Sequence, residues 1–268
     1  TPKPSSAASD VYKRQGPTGV ELAGAIADIA RTVLVKDFKH INPASAQVTL
    51  VEAGPRILAS FDPKLSQHAA DDLRDLGVQV RVNSRVEKID GEGVVIGGEF
   101  TPARSVFWAA GVQAAKIELT PKPETDKAGR VIVNKDFSIP RNENVFVIGD
   151  MAHLDLGDGK VLPGLAPAAM QAGRFTAEMI LNSIRGKSRK NFQYVDKGQM
   201  ATIGKRKAIT QYGKLRVTGF IAWMMWLFVH LFYLIDFKNR VSVMAEWTWS
   251  YVSVSYTHLR AHETSLHL

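Results

Sequence analysis

Residues 16–25 read GPTGVELAGA, a glycine turn running directly into a stretch with apolar residues at helical spacing. Leu22, Ile26, Ile29 and Val33 share one face of the helix this periodicity predicts over Val20 to Val35, and Gly24 permits close packing on it. A glycine turn that opens a helix presents backbone N–H groups and the positive dipole end to a pyrophosphate. Gly16 and Gly19 match the second and third glycines of a G-x-G-x-x-G fingerprint, while Arg14 occupies the first. An ordinary glycine turn looks the same, so the next strand matters. QVTLVE at 47–52 is a short β-branched run ending in an acid, as expected of a buried parallel strand. Glu52 at its end is placed to accept a hydrogen bond from an adenosine ribose 2′-hydroxyl and to repel a 2′-phosphate, favouring NADH over NADPH. Glu52 lies 33 residues after Gly19, beyond the usual spacing of about 20, which predicts an insertion around Lys36–Ala46.

Further along, a helix over Pro63–Leu76 with Gly77 as its cap precedes the strand VQVRV at 78–82. Segments 84–90 and 93–100 alternate around Gly91 and Gly97–Gly98 as an antiparallel meander, and SVFWAAG at 105–111 reads as another buried strand. This β-α-β-α-β-meander-β order is that of an α/β, Rossmann-like dinucleotide-binding domain over 16–112. A Pro/Lys/Asp-rich loop at 119–129 leads to RVIVN and to ENVFVIGD at 143–150, an apolar strand whose terminal Gly149–Asp150 can aim a carboxylate at a sugar or ribityl hydroxyl. A plain turn aspartate is the alternative for Asp150. A helix from about Pro167 to Ile184 follows, and 113–184 is too little for a domain of its own.

The 268 residues are 45% hydrophobic and 22% charged, which excludes a disordered or collagen-like chain. Cysteine is absent, excluding disulfides, thiolate metal sites and thiol redox steps within this stretch. The formal net charge of +8 is concentrated: residues 185–216 carry ten basic side chains and one acidic. Because this basic segment adjoins the most apolar run of the chain, 217–235, it points to an anionic lipid surface and not to nucleic acid. The two ends, 1–15 and 252–268, lack helical or alternating periods, resemble translated adapter sequence and are read as non-native tails. His258, His262 and His267 in the second tail could suit a helix face, but no metal site is expected.

Taken in order, GPTGVELAGA, VTLVEAGPRIL, FWAAGV, ENVFVIGDMA, PGLAPAAMQAGRF, MATIGKRKAI and GFIAWMMWLFVHLFYLIDFKNRVSVMAEWTWSY resemble the type II NADH dehydrogenases. These are single-subunit, FAD-containing, non-proton-pumping NADH:quinone oxidoreductases of respiratory membranes. The resemblance covers about 16–251. It implies a two-dinucleotide-binding flavoprotein with C-terminal membrane-associated helices, in which 113–184 is the C-terminal part of an FAD domain. Members of the family begin with an FAD-binding strand, glycine loop and helix that this sequence lacks, so it is expected to be a C-terminal portion that by itself binds FAD poorly and is inactive.

The resemblance also implies roles. Gly16 and Gly19 hold the NADH pyrophosphate, Glu52 its ribose, and Ala110–Gly111 pass beneath the dinucleotide. Glu21 lies near the nicotinamide carboxamide and relays protons, or is simply an acid favoured by a helix N-terminus. Gly149 and Asp150 grip the FAD ribityl chain, and the helix start at Ala166–Pro167 faces the flavin N1/O2 side. Gln171 matches the second of two family glutamines near the membrane quinone, whereas Pro167 replaces the first. Lys205, Arg206 and Lys207 meet lipid phosphates or the quinone headgroup. Residues 217–251 are expected to form membrane-anchoring helices: length permits a span over 217–235, but Trp223 and Trp226 near its middle favour a monotopic anchor, on the cytoplasmic face of the inner membrane. The competing readings are a soluble flavoprotein disulfide reductase and a non-enzymatic membrane-bound nucleotide-binding module. Homodimerisation is left open.

Overall fold

The computed structural model describes residues 17–36, 42, 45–109, 111, 114–115, 120, 122–233 and 240–246. Helix α1, Thr18–Asp28, begins immediately after Pro17, whose carbonyl accepts the Glu21 N–H at 2.9 Å. The single helix expected over 20–35 changes form part-way, into a π turn at Ile29–Val33 and a 3₁₀ turn at Leu34–Lys36. The Thr32 hydroxyl donates to the Asp28 carbonyl at 2.6 Å, competing for a helix acceptor, and the wider turn carries the Arg31 guanidinium to the Gly77 carbonyl at 3.0 Å.

Strand β1, Val48–Val51, pairs in parallel with β2, Val78–Arg81, with Val48 opposite Val78. Between them runs helix α2, Pro63–Asp75. Asp62 caps α2 by accepting from the Lys64 N–H at 3.0 Å, and Gly77, at φ +76°, closes it. Strands β3 (Val86–Ile89), β4 (Gly93–Ile96) and β5 (Glu99–Pro102) form the expected meander, with Gly97 and Gly98 both at positive φ in the second turn.

The buried strand expected at 105–111 is not found. Residues 105–109 join no ladder among the described residues, and Phe107 and Trp108 are each 64% exposed. In a doubly wound sheet the partner of such a segment is the strand that feeds the glycine turn. That strand would precede Pro17, outside the described residues.

A second core gathers β6 (Val131–Ile132), β7 (Ser138–Ile139), β8 (Asn142–Phe146), β9 (Ala152–His153), β10 (Asp155–Gly157), β11 (Lys160–Val161) and helix α3 (Ala166–Ile184). β6 runs parallel to β9, and β7 and β8 form a hairpin. Phe137, Phe175 and Phe192 meet edge to face at the centre. The strand expected over 143–150 stops at Phe146. Gly149, at φ +68°, turns the chain into a 3₁₀ turn at Gly149–Met151.

The basic segment at 185–216 is not merely a charged linker. β12 (Gln199–Gly204), β13 (Lys207–Tyr212) and β14 (Leu215–Thr218) form an antiparallel sheet. Its inner residues Ala201, Ile203 and Ile209 are fully buried in the same core as Val20, Ala23, Leu65 and Leu73. Lys207, two residues before Ile209, shares its face and lies at the edge of this core. Helix α4, Gly219–Tyr233, then packs on β13 through Ala222 and Trp223, which explains a tryptophan in the middle of the apolar run. No helix among the described residues is long and apolar enough to cross a membrane. The 15 residues of α4 extend only about 22 Å, against a hydrocarbon core of about 30 Å. A further helical stretch covers 240–246, while Trp247, Trp249, Tyr251 and the three tail histidines lie outside the described residues.

Candidate functional site

The first turn of α1, Leu50 of β1 and Ala109 converge. A Cβ built on Gly19 would lie 3.6 Å from both Ala109 Cβ and Leu50 Cδ1. This is ordinary contact, so packing leaves room for a small side chain and the glycine is spent on whatever approaches the helix start. Gly111 sits at φ +79°, a conformation natural to glycine. Gly16 and Ala110, expected beside these two, lie outside the described residues.

Glu52 is only 7% exposed at the end of β1. Its N–H donates to the Arg81 carbonyl at 2.8 Å and its carbonyl accepts from Ser84 at 3.0 Å, so both adjoining strand ends hold its backbone. Oε1 accepts the Gly54 N–H at 2.6 Å. Burial pushes the carboxyl above its usual range, and the Gly54 and Ala53 N–H groups partly offset this. A carboxylate so held is a fixed acceptor at a strand end, suited to a diol hydroxyl.

Glu21 projects from the first turn of α1 and meets the C-terminal sheet, where Oε1 accepts the Thr202 N–H at 3.3 Å. Burial raises its pKa, and the Thr202 N–H and the nearby His230 imidazole of α4 act in the opposite direction. Glu21 is legible in the sequence, but these groups lie about 180 and 210 residues away with no local signal marking them.

In the second core, the 3₁₀ turn holding Gly149 and exposed Asp150 packs against the start of α3, with a Cβ on Gly149 falling 3.8 Å from Ala169. Leu165 precedes α3 and supplies no side-chain cap, and Pro167 sits in its first turn, so Ala166 and Pro167 begin a helix whose end is open to an outside acceptor. The Gln171 amide is engaged: Nε2 donates to the Val195 carbonyl at 3.0 Å and Oε1 accepts the Val195 N–H at 3.1 Å. It therefore ties the segment leading to β12 onto α3. Lys207, expected to face lipid phosphates or the quinone headgroup, is committed to Asp72 at 2.9 Å and Asp75 at 3.2 Å on α2, because the register of β13 turns it inward along the domain seam. Among the described residues no cluster of His, Asp or Glu could hold a metal.

Residues 15–173 match the family described as pyridine nucleotide-disulphide oxidoreductase. The chain belongs to that family. Residues 197–253, which include the β12–β14 sheet and α4, match the NDH2 C-terminal domain. The chain is 38% identical over 250 residues to the type II NADH:quinone oxidoreductase Ndh of Mycobacterium tuberculosis, covering 89% of this chain and 53% of that protein. It is 32% identical over 199 residues to the type II NADH:quinone oxidoreductase of Staphylococcus aureus, covering 72% and 49% respectively. The chain thus spans about half the length of these relatives. Structurally it is similar to NDH2 from Plasmodium falciparum in complex with NADH, with a TM-score of 0.79 at 16% identity over 90% of this chain and 65% of that one. The resemblance of the sequence to the type II NADH dehydrogenases is thereby borne out.

Proposed function

We propose that this chain supplies the NADH-binding and quinone-facing part of an FAD-dependent, non-electrogenic NADH:quinone oxidoreductase. The observation that carries this is the joining of two features in one core. A dinucleotide-type βαβ unit with buried Glu52 at its strand end is fused, through Glu21 and Thr202, to a sheet and apolar helix of the NDH2 C-terminal type.

The residues fit the groups involved. Gly19 leaves the α1 N-terminus open to a pyrophosphate, and Glu52 offers a fixed acceptor to the adenosine ribose. Asp150 and the uncapped start of α3 at Ala166–Pro167 suit the ribityl chain and the electron-rich edge of a flavin. When bound, FAD supplies the two-electron chemistry linking nicotinamide to quinone. The protein's part is positioning and electrostatics. Gly16, Gly19, Ala110 and Gly111 let the nicotinamide dinucleotide lie close to the backbone, Glu52 selects it by its 2′-hydroxyl, and Glu21 relays protons near the nicotinamide carboxamide. Gln171 shapes the quinone side by anchoring Val195.

Phe220, Ile221, Phe228 and Phe232 are exposed along α4, which gives this helix an apolar outer surface suited to lying in the plane of a bilayer, with lipid as partner. A monotopic attachment to the cytoplasmic face of the inner membrane follows from this reading. The deciding experiment follows NADH oxidation by the whole protein with a soluble quinone analogue. Quinol formed in step with NADH consumption supports the function, and flavin reduction without quinol formation refutes it.

A further inference from the structure

Asp150 stands on a lightly held turn. The Ala152 N–H closes the 3₁₀ turn Gly149–Met151 onto the Gly149 carbonyl, and the chain then enters β9, which pairs with β6 over two residues. The Val133 N–H donates to the His153 carbonyl at 3.1 Å and ends this ladder. Two such short strands are a marginal hold by themselves. A side-chain cluster reinforces them. His153 Nδ1 lies 2.9 Å from Asp126 Oδ2 and 3.2 Å from Arg130 Nη2. A carboxylate only accepts and a guanidinium only donates, so Nδ1 serves one of the two. The shorter, charge-assisted contact makes Nδ1–H the donor and Asp126 the acceptor. Asp126 is itself fixed: Oδ1 accepts the Ala128 and Arg130 N–H groups at 2.9 and 2.8 Å, and Oδ2 accepts the Arg130 Nε–H at 2.7 Å. The Arg130, Asp126 and His153 side chains are 13, 14 and 22% exposed, so water competes weakly for these bonds. Burial pushes the Asp126 carboxyl up, but the Arg130 and His153 hydrogen bonds outweigh it and hold it at about 2, leaving a charged acceptor at neutral pH.

We propose that Asp126 and His153 are positioning residues for the flavin: by clamping β9 they hold the Gly149–Met151 turn with the Asp150 carboxylate already where the ribityl hydroxyls need it. This rests on the FAD-binding part of the functional reading above. Neither residue touches the cofactor, and both act through Asp150. The links are continuous. Asp126 holds His153, His153 belongs to the strand that leaves the turn, and the turn itself packs on the start of α3 beside Ala169. A turn held from both sides needs no ordering when its ligand arrives, whereas a loose one must be ordered at the expense of affinity.

The test follows FAD release from the whole holoprotein after dilution, read as the rise of free-flavin fluorescence. His153→Leu, of similar bulk but without a donor, is expected to release FAD about tenfold faster, the scale expected when a side chain loses its preorganisation. His153→Asn, whose amide N–H can stand where Nδ1–H stood, is expected to release FAD at close to the parent rate. Asp150→Ala removes the group that is being positioned. In that background His153→Leu is expected to add less than about twofold, a coupling that a merely structural role would not produce. Asp126→Asn, which withdraws the charged acceptor, is the second variant and is expected to follow the same pattern. An unmoved release rate in His153→Leu and Asp126→Asn overturns the proposal, and so does an equal acceleration with and without the Asp150 carboxylate. A parent protein that holds FAD but forms no quinol refutes the reductase reading, while the release cycle, which reads FAD alone, still decides for or against the clamp.

Discussion

Gly24 of α1 lies so close to Ile203 of β12 that a Cβ on residue 24 would fall 1.6 Å from the Ile203 carbonyl oxygen. The obstacle is backbone within a paired strand, so no side-chain rotation can relieve it. Gly24→Ala is therefore expected to separate helix from sheet and to destabilise the protein by about 3 kcal/mol, at the upper end for overpacking. Chemical denaturation of the whole protein checks this. An unchanged midpoint would mean that α1 and β12 are not held in this contact.

Gly19 gives the opposite expectation. A Cβ there meets Ala109 and Leu50 at 3.6 Å, which is ordinary packing. Gly19→Ala is expected to keep the melting temperature within a few degrees while weakening NADH binding at least about tenfold, because the methyl group projects where a pyrophosphate must approach the helix start. Calorimetric titration with NADH separates the two effects.

On the proposed function, Glu52 sets the choice between dinucleotides. Replacing it with Gln keeps an acceptor for the Gly54 N–H but removes the charge that repels a 2′-phosphate. Glu52→Gln is expected to raise KM for NADH several-fold and to lower KM for NADPH, read from steady-state rates with each. An unaltered preference would refute the ribose role.

Gln171 fastens the approach to the C-terminal sheet. Gln171→Ala removes both bonds to the Val195 backbone. At about 1 kcal/mol each the cost is about 2 kcal/mol. Amide hydrogen exchange across 192–198 is expected to accelerate while exchange in β1 and β2 stays unchanged. Equal acceleration in both regions would contradict a local fastening.

Acid stability should report on Asp126. Burial alone would raise its pKa, but hydrogen bonds from Arg130 and His153 outweigh this and hold it at about 2 against an ordinary 3.8. Because the folded-state value is the lower one, the stabilisation is fully present above pH 3.8 and is lost as pH falls towards 2. It amounts to about 2 kcal/mol. Asp126→Asn is expected to remove it at neutral pH and to flatten the acid limb of a stability profile between those values. A variant with an unchanged acid limb would show that Asp126 does not drive it.

Much of this was legible along the chain, for identifiable reasons. The α1 start, the acid ending β1, the Asp62 and Gly77 boundaries of α2 and the meander turns are all set by residues within a few positions of each other. The 105–111 segment misled for the complementary reason: its apolar composition suits a buried strand, but burial needs a neighbour, and Phe107 and Trp108 remain exposed. Of the ten cations at 185–216, Lys207 and Arg216 bind Asp75 and Asp62 across the seam with α2, which their clustering along the chain does not signal.

The sequence by itself determined a βαβ unit, an acid at the end of its first strand, a second strand–turn–helix and an apolar C-terminal helix, because periodicity, capping and turn chemistry act over short separations. Only the tertiary structure decided that the C-terminal sheet shares a core with α1, that Gln171 is committed to Val195, and that Glu21 meets Thr202. Those contacts depend on which distant surfaces pack together, and side-chain spacing along a chain carries no record of that.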